Sequence, residues 1–286
     1  MLDAAGIHDL IARLAALDAV AGSGAAVGDA VVAFGRAARL VGADRDVRAA
    51  VAELGELTGW LLFDAERQAQ ARRTNKIALG LAEEPDLRWF ILSNQALASV
   101  HTGHHREALR IADNAGPAAP RRVRALFDVR AARALAELGA APEALRRFDR
   151  ARSAFFDGLA PRDPAWTWWF DERELAGHHG LLHASLGNHD AAIPLLHRAV
   201  DGSAQRADLR WALYLYRVHL LRVLLDAGAW ADAEPVAVAL VPMVGTIAGA
   251  RADKLLRGLA PAVGMPSTLG DALGEIRSRC SGQPRR

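Results

Sequence analysis

Glu174 and His178 lie four residues apart in the run DERELAGHHG at 171–180. On a helix this spacing sets a carboxylate and an imidazole on one face. Such a pair can move a proton in an active site, or it can hold a ligand by hydrogen bonds. His179 and His183 repeat the interval, as two metal ligands on a helix would. The HExxH pattern is absent, however, and the repeat frame given below turns both rings away from the groove. No metal and no cofactor are expected. His101, His104 and His105 flank a turn and are expected to face solvent.

Acids and carbonyls are the natural partners of Arg130, Arg133 and Arg222, because guanidinium offers paired donors to such acceptors. Trp166, Phe170 and Trp211 would supply an apolar wall, with Asn94 and His219 joining Glu174 and His178 to fix orientation. Convergent polar groups in an apolar surround describe a small-molecule or peptide site. If the groove were catalytic, Glu174 and His178 would carry the reaction. No GxSxG, GxxxxGK[ST], GxGxxG or CxxC motif accompanies them. Cys280, the single cysteine, has no context that would lower its pKa, and alone it excludes an internal disulfide framework.

A repeat positions these residues. Gly103, Gly139, Gly187 and Gly228 are each followed five residues later by alanine (Ala108, Ala144, Ala192, Ala233), and Glu66 with Ala71 makes a fifth copy. Seven residues before the turn stand Gly59, Ala96, Ala132 and Gly180; twelve after it stand Ala78, Ala115, Ala151 and Ala199. Leu221 and Leu240 replace the small residue in the last copy. Small residues at fixed offsets let the two helices of a pair approach closely, and the turn glycine absorbs a positive φ. An irregular helical bundle with accidental alanine periodicity is the alternative. The columns resemble the tetratricopeptide repeat, although glycine spacings of 36, 48 and 41 exceed its 34 residues.

The fold expected is therefore an all-α, right-handed α-solenoid of about 14 helices. Residues 1–45 form an N-terminal helical cap broken by a loop at 21–26. Five degenerate repeats fill 46–242, and 243–286 hold capping helices and a frayed tail. Asp163 and Pro164 predict the start of one long helix running through Leu186. First helices line the concave side, so three columns should face the groove. Nine before the turn these are Leu57, Asn94, Arg130, His178 and His219, and six before it Trp60, Leu97, Arg133, Leu181 and Arg222. Thirteen before it are Glu53, Phe90, Leu126, Glu174 and Leu215, and Phe170 and Trp166 extend that column backwards by fours.

Composition sets the outer limits. The 286 residues are 51% hydrophobic and 24% charged, a packed globular balance. A net charge of +2, with lysine only at 76 and 254, gives no cationic face for nucleic acid. No apolar run reaches the ~20 residues of a membrane span, and no signal pattern opens the chain, so a cytoplasmic protein is expected.

Three stretches carry a resemblance: GWLLFDAERQAQARRTNKIAL at 59–79, HTGHHREALRIADNA at 101–115 and PAWTWWFDERELAGHHGLLHASLGNHDAAIPLLHRAV at 164–200. They look like the tetratricopeptide-like C-terminal region of actinobacterial Xre-type helix-turn-helix transcription regulators, over about residues 45–242. The resemblance implies a ligand- or partner-sensing role linked to transcriptional or biosynthetic regulation. Residues 1–45 are too short for the DNA-binding domain of that family and lack a major-groove pattern. The chain thus reads as the sensing half without its output half, with no direct DNA binding, fit to bind a small molecule or peptide or to scaffold a protein partner. An enzyme of specialised metabolism using the same groove is the alternative. Leu221 and Leu240, as apolar residues in a terminal repeat, point to a homodimer.

Overall fold

The computed structural model describes residues 3–42, 44–114, 119–259 and 264–281. Fourteen helices run in chain order: α1 (Ala4–Ala21), α2 (Ser23–Leu40), α3 (Arg45–Asp64), α4 (Gln68–Leu81), α5 (Pro85–His101), α6 (His105–Asp113), α7 (Arg121–Glu137), α8 (Ala141–Phe156), α9 (Glu172–Ser185), α10 (His189–Ala204), α11 (Arg210–Asp226), α12 (Trp230–Leu240), α13 (Ala250–Arg257) and α14 (Ser267–Ser281). Among the described residues the regular structure is helical apart from one bridge between Val244 and Ile247. The fold is an all-α, tetratricopeptide-like solenoid of antiparallel helix pairs. Of the closing SGQPRR at 281–286, expected to fray, Ser281 ends α14 and the rest lies outside the described residues, as does Ala115 of the repeat column.

The turn column has a single backbone signature. Gly103, Gly139, Gly187 and Gly228 take φ of 78°, 76°, 72° and 69°, and Glu66 takes 59° at the equivalent place. The small residues in the first helices serve close approach to the second. A Cβ on Gly180 would meet Leu196 at 2.8 Å and the Ala192 carbonyl at 3.1 Å, and one on Gly59 would collide with Asn75. Ala71, Ala78, Ala108, Ala144, Ala151, Ala192 and Ala199 are all buried where the pairs meet.

Two local expectations change. The break predicted over 21–26 shrinks to Gly22, whose φ of 86° and missing side chain let the backbone of Ala248 come within 3.0 Å of where a Cβ would sit. The long helix predicted over 163–186 is also absent. Residues Ala165–Trp169 form a 3₁₀ turn, and α9 begins only at Glu172, capped by the Asp171 carboxylate accepting from Glu174 N at 3.0 Å. Asp163 does cap, but elsewhere: its oxygens accept from Arg122 N in the first turn of α7 (2.9 Å) and from Ala160 N (2.7 Å).

The two ends of the solenoid touch. Ala248 N donates to Ala21 O at 2.8 Å, and Gly24 N donates to Ala248 O at 2.9 Å, joining the α1–α2 corner to the segment before α13. Leu221 and Leu240 are fully buried in one cluster with Leu269, Leu273 and Ile276 of α14. The chain covers these leucines itself, which removes the argument that they need a second copy. No helix among the described residues is long and apolar enough to cross a membrane.

Candidate functional site

Because the ends meet, the concave groove becomes a chamber. Its volume is about 1140 Å³, a little above the 300–1,000 Å³ of most drug-sized ligand sites. Odd-numbered helices from α1 to α13 supply most of its lining, as expected when first helices face inward, and His105 at the start of α6 and two tryptophans of the 165–169 turn add to it.

The cationic wall comes from α7, α9 and α11. Arg130 is 1% exposed, and its one described hydrogen bond runs from Nη1 to His178 Nε2 at 2.6 Å. Arg133, one turn further along α7, makes no side-chain hydrogen bond among the described residues. The Nε atoms of both arginines are buried without a partner, and no carboxylate lies within ion-pair distance of either among the described residues. Burial pushes each guanidinium down to about 10. His178 and His219 are held well below the usual imidazole range, first by burial and then by neighbouring arginines. His178 is therefore neutral, accepting at Nε2 and carrying its proton on Nδ1, which has no partner. Among the described residues Arg222 reaches Asp226 alone, at 3.6 Å in a half-exposed pair.

Glu174 is fully engaged. Its Oε1 accepts from Arg173 Nη1 at 2.8 Å and its Oε2 from the Tyr216 hydroxyl at 2.8 Å, while His178 Nε2 stands 3.7 Å away. Gly177 makes this arrangement possible, since a Cβ there would fall 2.2 Å from the Tyr216 ring.

Across the chamber the lining turns acidic. Glu56 on α3 is 7% exposed, and its Oε1 accepts from Asn94 Nδ2 at 2.6 Å. Burial raises its carboxyl to about 8, against the Asn94 hydrogen bond and with help from nearby Glu53. Asp18 on α1 accepts from Trp60 Nε1 at 3.1 Å and leaves Oδ1 unpartnered; burial, then Asp64, raises it to about 7.

Beside this acidic side lies the clasp that joins the ends. Asp64 is 1% exposed and binds Arg251 Nε at 2.9 Å, Trp211 Nε1 at 2.8 Å and Ser23 Oγ at 2.8 Å. The Arg251 guanidinium sits over Phe63 at 4.7 Å, Trp211 at 5.4 Å and Trp60 at 5.7 Å, within cation–π range. At its edge Glu66 accepts from Lys254 Nζ at 2.7 Å and lies 2.6 Å from His101 Nε2. Although burial opposes it, these two partners hold the Glu66 carboxyl down at about 2.

The lining includes Asn94, Arg130, Arg133 and Glu174, together with His178, Trp211, His219 and Arg222. It does not include Trp166 or Phe170. Phe170 is completely buried, 5.4 Å from Phe155, and Trp166 stacks behind the lining residue Phe90 at 4.5 Å with its Nε1 donating to Asp86 O at 3.1 Å. Extending the phase of α9 backwards points both inward, but the chain leaves helical geometry at Phe170. Trp168 and Trp169 line the chamber instead, Trp168 being 65% exposed at its mouth. Glu53 and Leu126 also leave the groove column: Glu53 faces His8 at 3.3 Å, and Leu126 is in the core.

His101, expected in solvent, is partly buried and lines the chamber through its contact with Glu66. His179 and His183 lie off the chamber, His179 stacked on Phe148 of α8 at 4.3 Å. Among the described residues no group of three His, Cys, Asp or Glu is arranged to hold a metal ion. Sequence reasoning passed over Asp18, Glu56 and Tyr216. Glu56 precedes the groove position Leu57 by one residue, so widening each inward column by one would have found it.

No family model matches the chain, and no curated protein matches it. Among solved structures, a Rap protein complexed with competence and sporulation factor is similar over 97% of this chain and 88% of that one, with a TM-score of 0.54 and 11% identity. BtubC (BKLC) from P. vanneervenii is similar over 82% and 92%, with a TM-score of 0.47 and 20% identity. The first likeness is one of fold.

Proposed function

We propose that the protein is a regulatory binding protein whose chamber captures an organic anion, either a small molecule or the end of a peptide. The observation that carries this reading is the guanidinium pair Arg130 and Arg133 at the lining of the cavity, each with a buried Nε that has no partner and neither within ion-pair distance of a carboxylate among the described residues. An unpaired buried cation costs free energy, and an incoming carboxylate or phosphate offsets that cost. Arg222, His219 and His178 extend the donor surface, while Trp211, Trp168 and Trp169 supply aromatic walls. The resemblance to sensing regions of Xre-type regulators supports the same reading. So does the Rap-like fold, solved with a factor bound.

Turnover is disfavoured by the state of the acid/base candidates. Both oxygens of Glu174 are occupied, and the His178 Nε2 lone pair is taken by Arg130. These groups orient a ligand. The test is incubation of the purified protein with cell extract, followed by native mass spectrometry. An acidic compound should be retained unchanged, and Arg130→Gln with Arg133→Gln should release it. Retention of nothing acidic would overturn the reading. A mass shift that depends on Glu174 or His178 would instead establish an enzyme.

A further inference from the structure

The two sides of the chamber differ in the polar groups they leave open. Arg130 and Arg133 on α7 lack carboxylate partners, whereas Glu56 on α3 has one hydrogen bond, from a neutral amide, and no cation beside it among the described residues. Asn94 on α5 stands between them and gives its Nδ2 to Glu56, which leaves its Oδ1 as a further acceptor on the acidic side. Asp18 adds a second buried carboxyl with a free oxygen. Guanidinium nitrogens without a partner thus stand on one side, where the Glu174 carboxylate is already engaged by Arg173 and Tyr216, and a carboxyl with no cation beside it stands on the other.

We propose that the ligand is a short peptide with both ends free, its carboxylate on Arg130 and Arg133 and its amino group between Glu56 and Asn94 Oδ1. This rests on the anion-binding reading and specifies the opposite end of the molecule. An ammonium is matched chemically, because it brings three donors to a place where acceptors are unfilled. Length follows from the helices. α3, α5 and α7 are successive neighbours, so the two charged ends lie two helix spacings apart, roughly 16–20 Å between axes. Inward-reaching side chains shorten that gap, but a single amino acid does not bridge it. An extended chain of about three to five residues, at ~3.3 Å each, does. Trp168, Trp169 and Trp211 would flank its side chains.

The probe is a mixture of synthetic tri-, tetra- and pentapeptides, offered with free ends, with the amine acetylated or with the carboxyl amidated, and read by native mass spectrometry and equilibrium dialysis. Free-ended peptides should bind the wild-type protein, and each cap should weaken binding at least tenfold. Glu56→Gln should erase the preference for a free amine while keeping that for a free carboxyl, and Arg133→Gln the reverse. The comparison of caps on the wild-type protein needs no variant to fold. Acetylated peptides binding as well as free ones would overturn the proposal, as would no peptide binding at millimolar concentration. In either case the anion-binding reading survives if amine-free acids from extract are still retained.

Discussion

Arg251 and Arg130 are both buried arginines at the lining of one chamber, yet their surroundings are opposite. Arg251 has a carboxylate at 2.9 Å, and three aromatic rings lie within cation–π range of it. Arg130 has a neutral imidazole at 2.6 Å and no carboxylate within ion-pair distance among the described residues, since nearby Glu174 is taken by Arg173 and Tyr216. The clasp is complete without a ligand, and the α7 wall is not. A buried charge satisfied from within the chain holds structure together, while one left open is a place where something else belongs. The contrast is sharpest where removal of each arginine has opposite consequences for the ligand-free protein. Arg251→Ala strands Asp64 as a buried carboxylate and should cost about 3–5 kcal/mol in urea denaturation. Arg130→Met removes an unpaired charge and should leave stability within about 1 kcal/mol or raise it. Equal losses at the two sites would erase the distinction.

The acidic side gives the next largest effect, through pH. The Glu56 carboxyl is raised from 4.5 to about 8 by burial, despite its Asn94 hydrogen bond and with nearby Glu53 adding to the rise. A raised native pKa stabilises fully below the unfolded value and is lost as pH climbs through the native one. Glu56 should therefore weaken the ligand-free protein between about pH 4.5 and 8, by a few kcal/mol at most at ~1.4 kcal/mol per unit. His178 and His219, with depressed values, act the other way: their stabilisation is present above about 6.5 and lost as pH falls. The wild-type curve mixes these terms, whereas the difference between Glu56→Gln and wild type isolates one. The variant should gain on the wild type steadily from pH 5 to pH 8 in denaturation midpoints. A constant difference would mean that Glu56 is already ionised in the native protein.

The α7 wall was readable in the sequence and the clasp was not, for a physical reason. Arg130, Arg133, His178, His219 and Arg222 stand at fixed offsets from a turn, and helix geometry carries that register inward within each repeat. Asp64 and Arg251 meet only because the whole solenoid brings its ends together, and no local period encodes a contact across 187 positions. The aromatic run at 165–170 failed for a third reason. Asp163 and Asp171 are equally good N-cap residues, and only tertiary structure shows that Asp163 serves α7 instead of the helix that follows it.

Gly177 tests how tightly the Glu174 network is bound to packing. The Tyr216 ring lies where an alanine Cβ would stand, 2.2 Å away, so Gly177→Ala must push the ring aside. Such overpacking costs about 1–3 kcal/mol. The displaced hydroxyl would also leave Glu174 Oε2 with one partner fewer on the chamber side. Thermal denaturation should show the loss, and Gly177→Ala with Tyr216→Phe should lose less than the two single changes together. Full additivity would show that the ring and the glycine are energetically independent.

The smallest effect separates strain from bonding at Glu66. It is the one turn position of the five without glycine, and at φ 59° it occupies the left-handed region that side chains avoid. That conformation costs about 1–2 kcal/mol for a residue bearing a Cβ and essentially nothing for glycine. The carboxylate explains why glycine is not there, since it ties the end of α5 through His101 and α13 through Lys254. Lys254 is largely exposed, so that half of the tie is weak, and the better-covered His101 contact carries more of it. Glu66→Ala discards the bonds and keeps the strain, while Glu66→Gly discards both. The glycine variant should therefore be more stable than the alanine variant by about 1 kcal/mol, with wild type close to the glycine form. Chemical denaturation of the three proteins at pH 7 measures this directly. If alanine and glycine unfold together, the turn relaxes out of the left-handed region once the carboxylate is gone, and the clasp, not the repeat, imposes the 59° angle.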